Sequence, residues 1–543
     1  MARDVQTPIE MFYHWEQAIP ERIFLRQAIE GGWEELTWAQ TADQVRRFAN
    51  FLRGKNLPAG SRIGLWSANS KDWIISDLAI MLAGHISVPL YPGQDHDSAR
   101  YVLEHSDCKI ILCGFFDQHV HADLAIPDHV ERIALHGCVI KTATSLKDII
   151  DTTEPFNESP LPELDDLFTI IYTSGTTGRP KGVMHTHRTP GHVVPEQSKS
   201  LTTADEGARM FSFLPLAHAA ERILIGMGCI YTGNQVSFSA GQETFAAEIR
   251  EVQPTFFFAV PRLWIKFKEA IDAKIPPEVQ ATLDDEKKLE IAKMLGLGSA
   301  KAILTGSAPC PRDVQQWFFD MNIILRDGYG MTENFIHGCA WLHNDSPILG
   351  SVGQPMTSGI DVRVSDIGEI QFRSKGLMTG YYLNQEKTDE VLVDGWYCTG
   401  DSGRFDEDGN LFVTGRISEV FKTTKGKFIV PVKIEGQFAR SPLLAQFCLF
   451  GHGCNQPLLM TTLSELGREK SSAEVSEQLA ALLEDINADL PGHERVEQIF
   501  ITPEWTIENN LLTPTLKIKR HQIEAQFKEG VDAALGKEKV SFL

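Results

Sequence analysis

A run of small hydroxylated residues and glycines beside a lysine is the part of the sequence best suited to chemistry on phosphates. Between Tyr172 and Lys181 the chain reads Tyr-Thr-Ser-Gly-Thr-Thr-Gly-Arg-Pro-Lys. Hydroxyl groups and unobstructed backbone N–H groups can wrap a polyphosphate, and glycine lets such a loop close tightly. Lys181 adds a positive charge on a flexible stem. We predict a phosphate-binding loop made of Thr173, Ser174, Gly175, Thr176, Thr177, Gly178 and Lys181.

This loop is not the common P-loop, in which the second glycine is followed by Lys and Ser/Thr at the start of a helix. Pro180 stands where that second glycine would be, and residues 182–185 read as a strand. The apolar run 167–172 predicts a short buried strand before the loop. A hydroxyl-rich hairpin turn is the alternative interpretation of the same pattern.

A second run, Asp-Gly-Tyr-Gly-Met-Thr-Glu at 327–333, has the features of a nucleotide and metal site. Its two glycines free the backbone, its tyrosine offers a ring for stacking, and its threonine offers a hydroxyl. Its glutamate is a hard oxygen donor suited to Mg²⁺ held on phosphates. A plain turn is the alternative. The residues predicted to bind the nucleotide are Asp327, Gly328, Tyr329, Gly330 and Thr332, and Glu333 is predicted to bind the metal.

Together, in this order and about a domain's length apart, the two runs resemble the signatures of the adenylate-forming superfamily. That superfamily includes acyl-CoA synthetases, peptide-synthetase adenylation domains and beetle luciferases. The resemblance implies ATP as the nucleotide and Mg²⁺ bound through Thr173 and Glu333. It also implies catalytic roles for Lys181, Glu333 and Lys517.

Further motifs match the superfamily in order. Small side chains at Ser307 and Ala308 would let a purine lie against the backbone, although a tight turn explains the pattern equally. By resemblance, Asp401 binds the ribose and Arg416 pairs with phosphate or ribose. Lys425 and Lys427 lie in a basic loop that in relatives enters the site for thioester formation; a solvated loop is the alternative.

Two residues resemble acyl-pocket positions of fatty acyl-CoA synthetases. His218 follows an apolar run and begins a His-x-x-Glu pattern, and Trp264 ends the run Val-Pro-Arg-Leu-Trp. By residue type alone, His218 is as readily a packed or capping residue. We expect both to contact the acyl substrate.

Near the C-terminus, the run 509–520 resembles the superfamily's terminal motif. Superposition places Lys517 at the catalytic lysine position, with Lys519 as the competing candidate, and Arg520 at the following arginine. The superfamily's domain hinge falls two residues after the position of Arg416, usually at Asp or Lys. Here that residue is Ser418, and a serine can also absorb backbone rotation.

The resemblance implies activation of a medium- or long-chain fatty acid by ATP, with release of pyrophosphate and transfer to CoA. Two alternatives keep the adenylation step: transfer to an acyl carrier protein, or β-lactone formation. A nucleotide-binding regulator without catalytic activity is the alternative from another class. Luciferase-type chemistry is less favoured.

Elements around these motifs alternate between helices and strands. Thr37 and Gln40 form a capping-box pattern before an apolar stripe at 39–52, and 72–84 predicts a buried helix. Residues 62–67, 86–90 and 109–113 predict strands, and residues 188–205 an irregular connection. We predict an α/β fold: a large N-terminal domain, 1–416, of mixed and parallel sheets flanked by helices, then a hinge and a small α+β domain, 417–543.

Composition narrows the functional class. The chain has 543 residues and a net charge of 51 − 72 = −21, which argues against a nucleic-acid partner. Its nine cysteines include no Cys-x-x-Cys pair, as expected in a reducing cytosol. No N-terminal apolar signal core and no membrane-spanning run occur, so we predict a cytoplasmic protein and leave peripheral membrane contact open.

Overall fold

The protein is described by a computed structural model that covers residues 4–116, 122–173, 179–342, 348–513 and 517–543. These residues form two compact units. The first contains the described residues up to Thr173, together with Pro180–Val362 and Phe372–Tyr397. The second contains Arg363–Gln371 and the described part of Cys398–Leu543.

The strands, in chain order, are β1 (Ile23–Ile29), β2 (Gly32–Thr37), β3 (Arg62–Trp66), β4 (Ile86–Leu90), β5 (Ile110–Cys113), β6 (Glu131–Ala134), β7 (Thr144–Ser145), β8 (Leu167–Thr173), β9 (Lys181–Thr186), β10 (Arg209–Ser212), β11 (Gln235–Phe238), β12 (Phe256–Ala259), β13 (Ala302–Thr305), β14 (Leu325–Tyr329), β15 (Cys339–Ala340), β16 (Gln354–Pro355), β17 (Ile360–Val364), β18 (Glu369–Ser374), β19 (Gly380–Tyr381), β20 (Leu392–Val393), β21 (Trp396–Phe405), β22 (Leu411–Arg416), β23 (Phe421–Lys422), β24 (Phe428–Ile429), β25 (Leu444–Phe450), β26 (Leu458–Leu463), β27 (Ile499–Thr502) and β28 (Val540–Phe542).

The α-helices are α1 (Pro8–Ala18), α2 (Trp38–Gly54), α3 (Lys71–Leu82), α4 (His96–His105), α5 (Ala122–Ala125), α6 (Leu146–Thr152), α7 (Arg188–Ser200), α8 (Ala219–Glu221), α9 (Gly228–Thr232), α10 (Phe245–Val252), α11 (Pro261–Asp272), α12 (Pro277–Gln280), α13 (Asp285–Met294), α14 (Arg312–Asp320), α15 (Gln385–Val391), α16 (Pro431–Phe438), α17 (Glu465–Arg468), α18 (Ser472–Asp489) and α19 (Arg520–Ala534). A π-helical turn, Arg222–Met227, joins α8 to α9, and 3₁₀ turns occur at Thr332–Asn334 and Ile417–Glu419.

An eight-stranded sheet in the first unit carries the predicted phosphate loop. Its strand order is β19-β9-β8-β4-β3-β5-β6-β7. The pairs from β8 to β7 are parallel, whereas β9 is antiparallel to both β8 and β19. Strands β4 and β5 are buried along their whole length, as is typical of parallel strands covered on both faces.

Two smaller sheets also lie in the first unit. One has the order β10-β11-β1-β2 and the other β12-β13-β14-β15-β16. The second of these carries the start of the predicted adenine and magnesium motif, because Asp327 lies within β14 and pairs with Thr305 of β13. The combination of parallel and antiparallel strands with flanking helices confirms the predicted α/β class.

Local signals in the sequence placed several elements correctly. The capping box forms as predicted: the Thr37 hydroxyl accepts from the Gln40 backbone, and the Gln40 amide oxygen accepts from the Thr37 backbone. Helix α3 matches the predicted buried helix, and β3, β4, β5 and β8 match the predicted strands.

The predicted irregular connection at 188–205 is wrong over most of its length, because residues 188–200 form α7. The stretch contains glycine and two prolines, which disfavour a helix. Pro190 lies in the first turn, where no backbone N–H is needed. Buried contacts of Val193, Val194 and Gln197 stabilise the helix despite Pro195 in its interior.

The second unit is built around the sheet β25-β26-β27-β28. Helices α16 and α18 contribute buried Ile434, Leu479 and Leu483 to its apolar core. This mixture of one sheet and flanking helices agrees with the predicted small α+β domain. The predicted domain boundary at 416 stays a prediction. Strand β22, which ends at Arg416, belongs to the second compact unit.

Among the residues that the structure describes, no helix combines the length and the apolar character that crossing a membrane requires.

Candidate active site

The phosphate loop is mounted on a β-hairpin. Thr173 at the end of β8 pairs directly with Lys181 at the start of β9, and both residues are half-buried. Strand pairing therefore fixes the two ends of the loop next to each other. Its central residues, Ser174, Gly175, Thr176, Thr177 and Gly178, lie outside the described residues.

The second motif begins with a buried carboxylate. Asp327 is 7% exposed, and its Oδ1 accepts a 2.9 Å hydrogen bond from the Gly328 backbone. Burial raises the pKa of Asp327 to about 8, because a charged carboxylate is poorly solvated there. Gly328 and Tyr329 pair with β15, and the half-buried Tyr329 ring lies 5.7 Å from that of Phe372.

A tight turn carries Thr332 and Glu333. A Cβ at Gly330 would lie 3.1 Å from the Ile336 backbone, so this position tolerates little more than glycine. Phe335 and Ile336 follow with φ values of 55° and 54°, a conformation that bulky and β-branched residues rarely adopt. Such strain tends to occur where surrounding structure holds a functional segment in place.

His185 on β9 supports this turn through a hydrogen bond to its backbone. Its Nε2 donates to the Thr332 carbonyl oxygen at 2.8 Å, which requires the Nε2–H tautomer because a carbonyl can only accept. Burial lowers the pKa of His185 to about 4, so the imidazole is neutral near pH 7. The strand that begins with Lys181 thus also supports the turn that carries Glu333.

Tyr381 on β19 contacts two of the predicted catalytic residues. Its hydroxyl donates to Oε1 of Glu333 at 2.9 Å. The Lys181 ammonium nitrogen lies 4.8 Å from the centroid of the Tyr381 ring, within cation–π range. The predicted phosphate lysine and the predicted metal carboxylate are therefore brought to one tyrosine.

Ser307 and Ala308 lie in the exposed turn after β13. Ser307 adopts a left-handed φ of 67°. A Cβ at the preceding Gly306 would meet the Gly328 carbonyl oxygen at 2.9 Å. The predicted purine-binding turn therefore packs closely against the predicted adenine motif.

The two predicted acyl-pocket residues have different environments. His218 is half-buried; its Nδ1 accepts from the Ala220 backbone at 3.2 Å, and its ring lies 6.4 Å from that of Tyr91. Trp264 is fully buried, with its Nε1 donating to the Ala259 carbonyl. Trp264 packs in an aromatic core, whereas His218 caps a helix, and both roles toward substrate stay predictions.

In the second unit, the predicted ribose and phosphate residues form an ion pair. Asp401 of β21 and Arg416 of β22 are direct strand partners, and Arg416 Nε lies 2.7 Å from Asp401 Oδ1. Asp401 is buried, whereas 47% of the Arg416 side chain is exposed. The ion pair orients the Asp401 carboxylate, whose oxygens can accept hydrogen bonds from hydroxyl groups.

Lys425 and Lys427 lie in an exposed turn between β23 and β24. The Thr423 backbone N–H donates to the Lys427 carbonyl at 3.0 Å. Gly426 adopts a φ of 71°, which glycine accommodates without strain. Both lysines are thus presented to solvent on a closed loop.

Lys517 is exposed in the second unit, one residue before the isolated antiparallel bridge of Ile518 with Leu512. Its backbone N–H donates to Thr513 Oγ1 at 3.1 Å, and its carbonyl accepts from the Thr513 N–H at 2.8 Å. Leu512 bridges Ile518 beneath it. Arg520, three residues later, forms a bidentate pair with Glu435 at 2.6 and 2.7 Å, which anchors this segment.

A divalent cation would find hard oxygen donors at Glu333 and Thr173. Within the described residues, no cluster of three or more His, Cys, Asp or Glu side chains could hold a metal ion. Mg²⁺ usually keeps several waters and takes one or two carboxylates plus substrate phosphates. The donor set therefore fits a cation that arrives with a nucleotide.

Two supporting residues were not predicted from the sequence. Tyr381 and His185 act through contacts with distant segments, so no local pattern marks them. The Gly-Tyr-Tyr sequence at 380–382 was the only available signal, and it carried no chemistry by itself.

The family model described as "AMP-binding enzyme" matches residues 12–382, and the model described as "AMP-binding enzyme C-terminal domain" matches residues 419–539.

The chain belongs to the AMP-binding enzyme family. The predicted resemblance to adenylate-forming enzymes is thereby confirmed.

Individual relatives extend over nearly the whole chain. The Mycobacterium bovis protein named long-chain-fatty-acid–CoA ligase FadD15 is 27% identical over 97% of both chains. Fatty acyl-CoA synthetase A of Dictyostelium discoideum is 28% identical, covering 94% of this chain and 87% of that protein.

Solved structures share the fold of this AMP-binding enzyme. The adenylation domain of a carboxylate reductase from Mycobacterium chelonae superposes with a TM-score of 0.82 at 21% identity, covering 98% of this chain and 91% of that one. The o-succinylbenzoate CoA synthetase of Bacillus subtilis, solved with its acyl-adenylate intermediate, gives 0.74 at 20% identity, covering 96% and 99%.

Proposed function

We propose that this AMP-binding enzyme is a fatty acyl-CoA ligase that activates a medium- or long-chain fatty acid with ATP. The observation that carries the proposal is the convergence of Lys181 and Glu333 on Tyr381, beside the hairpin of the phosphate loop. The names of the long-chain relatives support a fatty acid as substrate. The presence of nine free cysteines supports a cytosolic location.

In the first half-reaction a carboxylate oxygen of the fatty acid attacks the α-phosphorus of ATP. The bond from that phosphorus to the bridging oxygen breaks, and pyrophosphate leaves with the electron pair. The acid is already an anion, so no general base is needed. The barrier comes from repulsion between anions, and preorganised positive groups lower it.

Several residues supply these groups. In this proposal Lys181 and the loop backbone bind the β- and γ-phosphates, and Lys517 has the role of stabilising the charge that develops on the α-phosphate. Glu333 and Thr173 would hold Mg²⁺, which when bound neutralises phosphate charge. Asp401 accepts hydrogen bonds from the ribose hydroxyls, and the Tyr329 ring lies against the adenine.

In the second half-reaction the CoA thiol, after losing its proton, attacks the acyl carbonyl carbon and AMP leaves. Lys425 and Lys427 carry the positive charge of the loop that serves this step. One site cannot hold Lys517 and this loop together. We therefore propose that the second domain rotates about residues near Ser418 between the half-reactions.

Substituting proline at the hinge tests this rotation. Ser418 is the middle residue of the 3₁₀ turn Ile417–Glu419, and proline fixes its φ near −65°. We expect Ser418→Pro to keep pyrophosphate release in single turnover and to slow acyl-CoA formation about tenfold or more. Rapid-quench measurement of both half-reactions checks it, with Ser418→Ala as the control. Equal losses in both half-reactions would refute the rotation.

An acid panel tests the proposed function as a whole. Acids of different chain length and aromatic acids are scored by pyrophosphate release, with and without CoA. We expect fatty acids to give the highest rates and CoA to permit multiple turnovers. Turnover with an acyl carrier protein but not CoA would replace the proposed acceptor, and no release with any acid would favour a regulator.

A further inference from the structure

Tyr381, which contacts both Glu333 and Lys181, is fixed in position by burial, packing and backbone hydrogen bonds. The side chain is 3% exposed and packs with Val183, Met378 and Tyr397 in one apolar cluster. Its backbone N–H donates to Thr388 Oγ1 at 2.9 Å. Pairing of Tyr381 with Val183 joins it to the strand that begins at Lys181.

A second tyrosine packs against this side chain. Tyr397 belongs to the same apolar cluster as Tyr381 and is buried with 4% exposure. This packing restricts the Tyr381 side chain, whose hydroxyl donates to Glu333.

Glu333 is consequently constrained at one oxygen. Oε1 accepts from Tyr381, whereas Oε2 accepts from no residue in the described part of the chain. A carboxylate held in this way presents one oxygen in a fixed direction. Partners that orient a metal-binding side chain typically contribute about ten- to a hundredfold in affinity or activity.

We propose that Tyr381 is a positioning residue that sets Glu333 and Lys181 for magnesium–nucleotide binding, its hydroxyl acting on the carboxylate and its ring on the ammonium group. This inference rests on the proposed function and adds the residue that organises its phosphate site. It assigns separate roles to two parts of one side chain, and these roles can be separated by mutation.

Tyr381→Phe removes the hydroxyl but keeps the ring under Lys181. Binding of α,β-methylene-ATP, which cannot release pyrophosphate, is measured by titration calorimetry with Mg²⁺ and with EDTA. We expect Tyr381→Phe to weaken binding about tenfold with Mg²⁺ and to leave binding in EDTA unchanged. Tyr382→Phe is the matched control, since the neighbouring ring instead contacts His105.

A double-mutant cycle separates positioning from packing. If Tyr381 acts through Glu333, adding Tyr381→Phe to Glu333→Gln causes no further loss of magnesium-dependent affinity. Losses that multiply in the double variant would overturn the proposal. So would wild-type affinity of Tyr381→Phe with Mg²⁺.

Folding and the underlying function are controlled separately. Should Tyr381→Phe fail to fold, Tyr381→Met takes its place, because it also removes the hydroxyl while keeping an apolar side chain in the cluster; at least the same loss is expected, and no loss would overturn the inference. A wild-type protein without magnesium-dependent binding or acid-dependent pyrophosphate exchange would overturn the proposed function together with this inference. Normal wild-type behaviour beside an unaffected Tyr381→Phe overturns the inference alone.

Discussion

Lys517→Ala is expected to slow acyl-adenylate formation by about a hundredfold or more, while the protein keeps its fold. The lysine is exposed, and its backbone is held by the hydrogen bond from the Thr513 N–H and by the neighbouring Leu512–Ile518 bridge. Its ammonium group would stabilise negative charge that develops only as the acid attacks phosphorus. Removing one such preorganised group costs about 2.7–4 kcal/mol of barrier.

Single-turnover release of pyrophosphate, measured with saturating ATP and fatty acid, gives this rate directly. Thioester formation from preformed acyl-adenylate should stay near the wild-type rate, because the proposed mechanism assigns Lys517 only to the first step. Lys519→Ala is the matched control: its side chain is hydrogen-bonded to Asn510, and we expect little change in adenylation. A large loss in Lys519→Ala with a normal Lys517→Ala would reassign the catalytic lysine.

Arg222→Met is expected to destabilise the first unit by about 3–5 kcal/mol. Arg222 Nη2 contacts both oxygens of Asp77 at 2.7 and 2.9 Å, and 2% and 3% of the two side chains are exposed. Substitution leaves the Asp77 carboxylate buried without its partner. The guanidinium also lies 5.5 and 5.4 Å from the rings of Trp73 and Phe168.

Urea unfolding, followed by a probe in the first unit, measures the change. The double variant Arg222→Met/Asp77→Leu should recover part of the loss, because it removes both buried charges. Lys301→Met is the control, because it breaks an ion pair with Asp205 in which the Lys301 side chain is 57% and the Asp205 side chain 47% exposed. This variant should lower the free energy of unfolding by less than about 1 kcal/mol. Equal effects of Arg222→Met and Lys301→Met would show that burial of the first pair is unimportant.

Much of the fold could be predicted because its signals are local. The capping box at Thr37, the apolar stripe of α2 and the buried strand β8 each depend on residues within one short window. Helix α7 could not, because its prolines and glycine oppose a helix locally and only tertiary packing of Val193 and Val194 compensates.

The candidate site shows the same division. Lys181 and Glu333 belong to motifs whose residue types reveal their chemistry. Tyr381 and His185 belong to no such motif. The Tyr381 hydroxyl contacts a carboxylate 48 residues away in the sequence, and a ring nitrogen of His185 contacts a backbone carbonyl 147 residues away. Such pairings follow from sheet topology, which no short sequence window contains.

The fate of the fatty acid's carboxylate oxygen tests the central claim most directly. The protein is given a fatty acid labelled with ¹⁸O in its carboxylate, together with ATP and CoA, and the products are separated and weighed by mass spectrometry. Attack on the α-phosphorus predicts one ¹⁸O atom in the phosphate of AMP and none in pyrophosphate. Appearance of the label in inorganic phosphate together with ADP, or AMP without label, would contradict adenylate formation by this protein.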